Sequence, residues 1–454
     1  MRWRTTGWAA ILAAAVALTG PSGLADAAGS ARSAGSVGTA RAADDDGHPY
    51  GFAQTARPVP GAPDTTDAAP LEPGGTYTST LPASGSAYYR LDLDADAGAY
   101  VSATAVPDPA VPVTASEGIR VSVQDTDGRS CSSFDNATIG AARSPRPLTA
   151  WGARETDGTR PRCADAGTYY VVVERVGGST AAAAPRPWEL ELAVATEPRP
   201  ARTDATSAPE AWDSATPAPP TDKPRKRPGG SGFDAAVPVG HGVWTADIEP
   251  GQTLFYEVPV DWGQQLYATA ELGSASGADR GFTVAALNLA LHNPVRALVD
   301  DAGTGYDGRQ KSAELDPLPP VDFTNRYATA DRVSGMRFAG SYYLVVHLAA
   351  QVADELGAGP FGLTLRVRVE GAAQEGPLYS GRSVPEGIFE VTEGEREASA
   401  AGGTGGAGGT GENGAVLTAV AVGGFGVGTL ILMGLGVWTV RGRRAARSWP
   451  GGTR

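Results

Sequence analysis

Histidine and cysteine are scarce in this chain of 454 residues, which has four histidines and two cysteines. A serine hydrolase needs a nucleophile, a histidine base and an orienting acid, and the sequence has no G-x-S-x-G motif. It also lacks H-E-x-x-H and any Cys/His cluster that would bind zinc. We interpret His241, His292 and His347 as strand-end or surface residues. The sequence therefore predicts a protein that is not an enzyme.

Positive charge is also in short supply, since the formal net charge is −13. A nucleic-acid partner requires a basic face, so the negative net charge argues against such a partner. The same charge suits a solvated exterior surface. Glycine and proline, at 61 and 35 residues, stay below the level that signals disorder throughout. The length predicts two or three domains.

Long apolar runs are rare, and one near the C-terminus defines the topology. Ala415–Val440 carries no charged residue, and about 20 apolar residues suffice to cross a bilayer as a helix. The alternative is a buried core helix. Arg441, Arg443 and Arg444 follow directly, and positive charge beside a span marks the cytoplasmic side. We predict a transmembrane helix over 415–440 and a basic cytoplasmic tail over 441–454.

The N-terminus agrees with this topology. Two arginines precede the short apolar run Trp8–Leu18, and Ala25-Asp26-Ala27 fits a small-x-small cleavage site. Residues 1–27 are therefore predicted to be a secretory signal peptide. The expected location is the cell membrane, with a single pass and the N-terminal bulk extracellular. An uncleaved anchor, the alternative, would leave the bulk outside as well.

Both cysteines, Cys131 and Cys163, fall in the part predicted to be exported. An oxidising compartment favours a disulfide, and neither residue lies in a C-x-x-C motif. A bond between them would close a loop of about 32 residues, which stabilises a fold by roughly 3–4 kcal/mol in the chain-entropy model. Two free thiols are the alternative.

Composition divides the exported region into segments. We predict a disordered lead-in over 28–70, a Pro-rich linker over 197–231 and a Gly-rich stalk over 372–414. Between them lie module 1, residues 71–196, and module 2, residues 232–371. The linker contains a basic run made of Lys223, Arg225, Lys226 and Arg227. We interpret this run as solvated, and the alternative is contact with an anionic polymer.

The two modules are copies of one design. Three early blocks align at one offset, and two later blocks align at another: Tyr77–Leu81 with Trp244–Ile248, Ala87–Leu91 with Leu254–Val258, Tyr100–Thr104 with Tyr267–Glu271, then Gly167–Val173 with Gly340–Val346 and Trp188–Val194 with Phe361–Val367. The last blocks alternate apolar and polar residues with the period of a strand. The expected fold is all-β, with two tandem β-sandwich, jelly-roll-like domains.

The order of these strand and turn motifs resembles that of the bacterial pre-peptidase C-terminal domain. The residues that carry the resemblance are Pro73-Gly74-Gly75, Tyr88–Leu93, Tyr100–Ala103 and Ala166–Val173, and in the second copy Pro250-Gly251-Gln252, Phe255–Val260, Tyr267–Ala270 and Ala339–Val346. The family's middle strand is matched only loosely, by Ile119–Gln124 and Leu287–His292. The resemblance implies a small β-sandwich with a binding or accessory role, and it transfers no catalytic residue.

Acidic turns offer one candidate cofactor site. Asp300, Asp301 and Asp307 flank Gly303 and Gly305, and calcium takes six to eight oxygen ligands from such loops. The EF-hand pattern is absent, so the alternative is a set of solvated turn aspartates. We name these three as the candidate calcium ligands.

Aromatic residues offer a candidate ligand platform. Trp262 lies in a turn between two predicted strands, where binding residues concentrate. A sugar ring would stack on such an indole. Packing against the neighbouring strand is the alternative.

We therefore predict a single-pass cell-envelope protein whose extracellular modules bind a partner protein or a surface polymer without catalysis. Two alternatives stay open. The chain is an accessory subunit or spacer of a membrane complex, or it is an extracytoplasmic hydrolase. A paired histidine and acid within a module would favour the last.

Overall fold

The structure, a computed structural model, describes residues 50–132, 135–156, 163–177, 186–202, 206–275 and 281–401. Its regular structure is mainly β-strand, arranged as two modules of two five-stranded sheets each. The sheets of a module form sandwich-like layers around an apolar core. The all-β prediction is confirmed.

Module 1 contains ten strands. They are β1 (Arg57–Pro58), β2 (Ala69–Leu71), β3 (Thr76–Leu81), β4 (Ser86–Leu93), β5 (Ala97–Val106), β6 (Gly118–Gln124), β7 (Asp135–Thr138), β8 (Leu148–Arg154), β9 (Gly167–Val176) and β10 (Trp188–Pro198). One sheet has the order β1-β3-β10-β5-β8, and the other has the order β2-β4-β9-β6-β7.

Module 2 repeats this plan. Its strands are β11 (Arg225–Lys226), β12 (Val237–Pro238), β13 (Gly242–Ile248), β14 (Thr253–Val260), β15 (Gln265–Leu272), β16 (Thr283–His292), β17 (Leu298–Tyr306), β18 (Lys311–Glu314), β19 (Gly340–Leu348) and β20 (Phe361–Glu370). The sheet orders β11-β13-β20-β15-β18 and β12-β14-β19-β16-β17 match those of module 1 strand for strand. A 3-10 helix, α1 and α2 are inserted at Phe323–Tyr327, Asp331–Ser334 and Val352–Leu356.

Alternation along the strands builds each core. In β20 the side chains of Phe361, Leu363, Leu365 and Val367 are at most 5% exposed and belong to the module 2 core. The intervening residues of β20 are exposed or half-buried, because successive side chains of a strand point to opposite faces. Trp188, Leu190, Leu192 and Val194 of β10 do the same for module 1.

Each copy begins earlier than the sequence predicts. β1 pairs in parallel with β3, and the Arg57 guanidinium lies 4.9 Å from the centre of the Tyr77 ring. β11 pairs in parallel with β13, and Arg225 lies 3.9 Å from the centre of the Trp244 ring. The disordered lead-in is therefore wrong for residues 50–70, which contain the edge strand β1 and the start of the edge strand β2. Residues 28–49 lie outside the described residues.

One turn pair in the resemblance is not equivalent in the fold. Gly74 precedes β3, whereas Gly251 lies between β13 and β14, one connection further along the repeat. Both glycines have positive φ, 77° and 86°, which glycine adopts without a side-chain clash. The shared Pro-Gly sequence therefore reflects a common turn requirement and not a common position.

The linker also belongs to the folded unit. Arg366 donates to the Pro220 carbonyl at 2.9 Å, and Arg368 donates to the Ala218 carbonyl at 2.8 Å. The Arg227 side chain, in a residue only 4% exposed, donates to the Pro238 carbonyl at 2.7 Å. The prediction of a solvated basic run is therefore wrong for Arg227, whereas Lys223 and Lys226 are exposed.

Residues 372–401, which we name the clasp, correct the predicted stalk. Val384 bridges to Thr196 at the end of β10, and Phe389 is 2% exposed between the modules. The clasp ends in α3 (Glu393–Ala401), where Thr392 and Glu395 form a reciprocal capping box. The glycine-rich composition that predicted a stalk comes from residues 402–414 and not from the clasp. Residues 402–414 lie outside the described residues.

The predicted signal peptide (1–27), transmembrane helix (415–440) and basic tail with Arg441, Arg443 and Arg444 also lie outside the described residues. Within residues 50–401, as far as they are described, no helix has the length and apolarity needed to cross a bilayer.

Candidate functional site

The two modules are joined by buried charge. Among the described residues, three ion pairs cross the junction, each with an acid from module 1 and an arginine from module 2: Glu191–Arg296 at 2.6 Å, Glu197–Arg326 at 2.7 Å and Glu155–Arg337 at 2.7 Å. The Glu191 and Glu197 side chains are 0% and 3% exposed. Removing such charges from water is costly unless further hydrogen bonds satisfy them.

Those further hydrogen bonds are present. Glu191 accepts from the Tyr50 hydroxyl at 2.8 Å and from the Ala53 backbone N–H at 2.7 Å. Glu197 accepts from the hydroxyls of Tyr100 at 2.9 Å and Tyr379 at 2.8 Å. Burial, followed by the neighbouring carboxylate, raises the pKa of both Tyr50 and Tyr100. These hydroxyls therefore remain protonated donors.

Aromatic packing completes the junction. Phe338 meets Tyr100 edge-on with ring centres 5.2 Å apart and stacks on Phe389 of the clasp at 4.7 Å. These three residues share one buried cluster with Ala195 and Val295. The modules are thus a single fused unit and not beads on a flexible linker.

A cavity of about 320 Å³, which we name the polar cavity, lies where module 1 meets the second sheet of module 2. Its position follows from strand register. Leu254 and Tyr256 of β14 face the module 2 core, so Thr253 and Phe255 face the other way. Phe255 pairs with Val345, and Val345 pairs with Ala290. These three residues form an apolar floor, which the loop with Arg146 covers from module 1.

His347 links the modules across the polar cavity. Its Nε2 lies 3.0 Å from the Ser144 hydroxyl of module 1, and its Nδ1 lies 2.9 Å from the Thr253 hydroxyl. Burial, with a smaller effect of the Arg146 charge, lowers the pKa of His347 to about 3. The ring is therefore neutral near pH 7. Its side-chain partners are the hydroxyls of Ser144 and Thr253, so this contact is not a histidine–acid pair.

His292 presents an open acceptor to the polar cavity. Its Nδ1 lies 3.0 Å from the Arg296 carbonyl, and a carbonyl only accepts, so Nδ1 carries the proton. Burial lowers the pKa of His292 to about 4, which keeps the ring neutral. Nε2 is then a hydrogen-bond acceptor, and no described residue donates to it. The residue is 6% exposed.

Arg146 supplies the positive charge of the polar cavity. Its Nη2 donates to the Thr138 carbonyl at 3.0 Å and to the Ile139 carbonyl at 3.4 Å. Burial lowers its pKa, opposed by the Asp301 charge. It forms no salt bridge within the described part of the chain. A guanidinium with backbone acceptors on one side and a cavity on the other is suited to receive an anion.

A second, larger space lies between the modules and the clasp. This cleft, of about 710 Å³, is lined by both modules and by clasp residues that include Glu395. Glu257 of β14 lines it, and burial together with the Glu395 charge raises the pKa of Glu257 to about 7. The cleft therefore holds a carboxyl group that titrates near neutral pH.

The predicted calcium ligands do not converge. Asp300 accepts from the Asp316 backbone N–H at 3.0 Å. Asp307 accepts from the Arg309 backbone N–H at 3.1 Å and pairs with Lys311 at 3.3 Å, while Asp301 lies at the rim of the polar cavity. Among the described residues, no group of three or more His, Cys, Asp or Glu is placed to hold a metal ion.

The predicted aromatic platform is wrong. Trp262 is 8% exposed and packs in the module 2 core, where the clasp residue Gly376 lies close to its indole. The packing alternative describes it, because the clasp covers the turn that the sequence leaves open.

The predicted disulfide is confirmed. Cys131 and Cys163 are bonded, with Cα atoms 5.5 Å apart. Both half-buried residues pack against the module 1 core. Of the groups around the polar cavity, the histidines and Asp301 carried a signal in the sequence. The histidines were interpreted as strand-end residues and Asp301 as a calcium ligand. Arg146 carried none.

Comparison with known proteins gives distant neighbours. No family model and no curated protein matches the sequence. The chain is similar to the tandem CBM22-1–CBM22-2 domain of Paenibacillus barcinonensis Xyn10C, with 11% identity over 68% of this chain and 94% of that chain and a TM-score of 0.18. It is similar to tripeptidyl peptidase 2, with 8% identity over 76% of this chain and 28% of that chain and a TM-score of 0.22. It is also similar to the CUB1-EGF-CUB2 domains of human MASP-1/3, with 9% identity over 64% of this chain and 99% of that chain and a TM-score of 0.14. At these TM-scores the likeness carries no argument about function.

Proposed function

We propose that the chain is a single-pass cell-envelope protein whose extracellular modules act together as a non-catalytic binding unit. The ligand is a surface polymer or a partner protein, and it binds at the module junction. The observation that carries the proposal is the polar cavity, whose walls come from both modules and whose polar groups are not all satisfied within the described residues.

Two further features support an extracellular position. The Cys131–Cys163 disulfide suits an oxidising compartment. The sequence signals at 1–27 and 415–440 are those of export followed by a membrane stop. The resemblance to a pre-peptidase C-terminal domain also implies a binding or accessory role.

The histidines support a role without catalysis. His347 bonds two hydroxyls and the pKa of His292 is about 4, so neither ring is set up as a base beside an acid. His241 lies 3.8 Å from Asp222, but both side chains are about half-exposed on the surface. A general base needs a positioned partner and a pKa near the working pH.

The test is co-sedimentation of the full-length protein, in detergent micelles, with insoluble envelope polymer from the host, in calcium and in chelator. The wild-type protein should sediment with the polymer. Ala290→Phe, which fills the floor of the polar cavity without changing charge, should reduce the sedimented fraction at least tenfold. Val284→Phe is the matched control, because Val284 lies on the same strand and is 55% exposed.

Each outcome decides something. Failure of the wild-type protein to bind polymer or any isolated envelope protein would refute the proposal. Capture of membrane proteins that is equal for both variants would favour the accessory-subunit alternative, in which the predicted span does the recruiting. Binding that is lost only in chelator would support the predicted calcium site at Asp300, Asp301 and Asp307.

A further inference from the structure

We propose that the polar cavity binds one carboxylate-bearing sugar unit, such as a uronic acid, of an anionic polysaccharide. This inference rests on the proposed binding function and names its ligand class. Three features of the polar cavity carry it: a cation without a carboxylate partner, neutral acceptors and amides suited to hydroxyl groups, and an apolar floor.

The cation selects a carboxylate. Arg146 uses Nη2 for two backbone carbonyls and forms no salt bridge with any described residue. Its remaining donors are available to the cavity that it lines. A guanidinium offers a planar fork that matches a carboxylate. Asp301 lies at the rim and is exposed, so it attracts Arg146 without satisfying it.

The neutral groups select hydroxyls. His292 Nε2 accepts and cannot donate, because Nδ1 carries the proton. A carboxylate has no proton to give to Nε2, whereas a sugar hydroxyl does. The side-chain amides of Asn136 and Asn288 and the hydroxyl of Thr149 also line the polar cavity. Together they provide both donors and acceptors, which a small simple anion would leave unused.

The floor and the size fit one pyranose ring. Phe255, Val345 and Ala290 present an apolar surface, which suits the C–H face of a sugar. The volume of about 320 Å³ lies at the lower end of the usual range for small-molecule sites. Leu298, 37% exposed at the rim, shows that the polar cavity opens to solvent. A polymer can therefore place one unit inside and continue outside.

The corresponding face of module 1 differs. Register places Glu174 where module 2 has His347, and Gln124 where it has His292. Glu174 lies 3.5 Å from Arg120 there, and both side chains are about 40% exposed. This face of module 1 thus carries a half-exposed ion pair, where the corresponding face of module 2 lines the enclosed polar cavity.

The experiment is isothermal titration and saturation-transfer NMR of the full-length protein in micelles with sodium glucuronate, glucose and sodium acetate. Glucuronate should bind at least tenfold more tightly than either other probe. Arg146→Gln should reduce glucuronate affinity by about 10- to 100-fold, as expected for a lost charged hydrogen bond, and leave glucose affinity unchanged. Arg129→Gln, at an arginine 75% exposed, is the matched charge control.

If Arg146→Gln fails to fold, Ala290→Phe gives a second test that does not change the charge. Ala290→Phe should abolish binding of glucuronate. Equal affinity for acetate and glucuronate would overturn the inference and identify a simple anion site. No binding of glucuronate, or loss in Arg129→Gln equal to that in Arg146→Gln, would also overturn it. Sedimentation with envelope polymer that is lost in Ala290→Phe would then leave the proposed binding function standing with another ligand.

Discussion

At the scale of single residues, a strand face that a distant element covers changes the chemistry of the side chains on it. Alternation in β10 turns Leu190 and Leu192 toward the module 1 core and Glu191 away from it. Glu191 faces another module and not water, and its side chain is 0% exposed. His292 and His347 are buried in the same way, because elements distant in sequence cover their faces.

Glu257 gives a prediction at this scale. Its pKa is about 7 in the folded protein against an ordinary value of 4.5. Between these values the folded state holds a proton that the unfolded state has released, so the free energy of unfolding falls as pH rises through this window. Glu257→Gln removes the titration. Its stability relative to wild type should therefore increase from pH 4 to pH 8, by at most about 3 kcal/mol.

Urea unfolding of the full-length protein at pH 4, 6 and 8 measures this difference. Glu314→Gln, at an exposed carboxyl in β18, is the matched control for replacing a carboxyl by an amide. A constant difference between Glu257→Gln and wild type across the series would contradict the prediction and show that water reaches the Glu257 carboxyl.

At the scale of elements, the sheets were predictable and the connecting segments were not. Runs such as Tyr342–Val346 are typical of central strands. The repeat supports each such strand a second time, because the other module has a matching run. The clasp has a polar, glycine-containing sequence, and it is held by two strand bridges and a few anchors such as Phe389. Periodicity cannot detect a segment that is stabilised by single side chains in a distant cluster.

Phe389→Ala tests the clasp. Truncating a buried phenylalanine costs about 3–5 kcal/mol, and here the loss falls on an element with few other anchors. The variant should be cleaved by trypsin within the clasp, at Arg382 or Arg396, at least tenfold faster than wild type. Leu378→Ala, at a residue 80% exposed, should be cleaved at the wild-type rate.

The trypsin fragments are identified by mass spectrometry over a time course. If Phe389→Ala were as resistant as wild type, the clasp would be held by its backbone bridges and α3 alone. Cleavage first within the sheets would show that Phe389 supports the modules more than the clasp.

At the scale of the whole molecule, the duplication predicts two similar domains but not their fusion. Trp188–Val194 and Phe361–Val367 reveal the repeat through their shared pattern. The contacts that fuse the copies, such as Glu197–Arg326, are not repeated, since each uses one member from each module. Repeat symmetry carries no information about such contacts.

Fusion predicts one cooperative unfolding transition for both modules. Glu197→Gln leaves Arg326 buried without its anion, and removing one partner of such a pair costs about 3–5 kcal/mol. The single urea transition of the full-length protein should shift to lower urea as a whole. Tryptophan fluorescence and far-UV circular dichroism should follow the same curve.

Glu314→Gln, at an exposed glutamate in β18, should leave the transition in place. Two separated transitions in the wild-type protein would show that the modules unfold independently. A Glu197→Gln variant as stable as wild type would show that the tyrosine hydroxyls suffice without the charge.

The clasp also determines how the protein responds to mechanical load. A pull on the chain beyond Ala401 reaches α3 first, where Ser399 and Ala400 are held by hydrogen bonds from Gly240 and Arg225. We expect such a load to release the clasp before either sandwich. Thirty residues released in this way lengthen the extended chain by about 100 Å. The clasp is therefore a reserve of chain length between residue 402 and the folded modules.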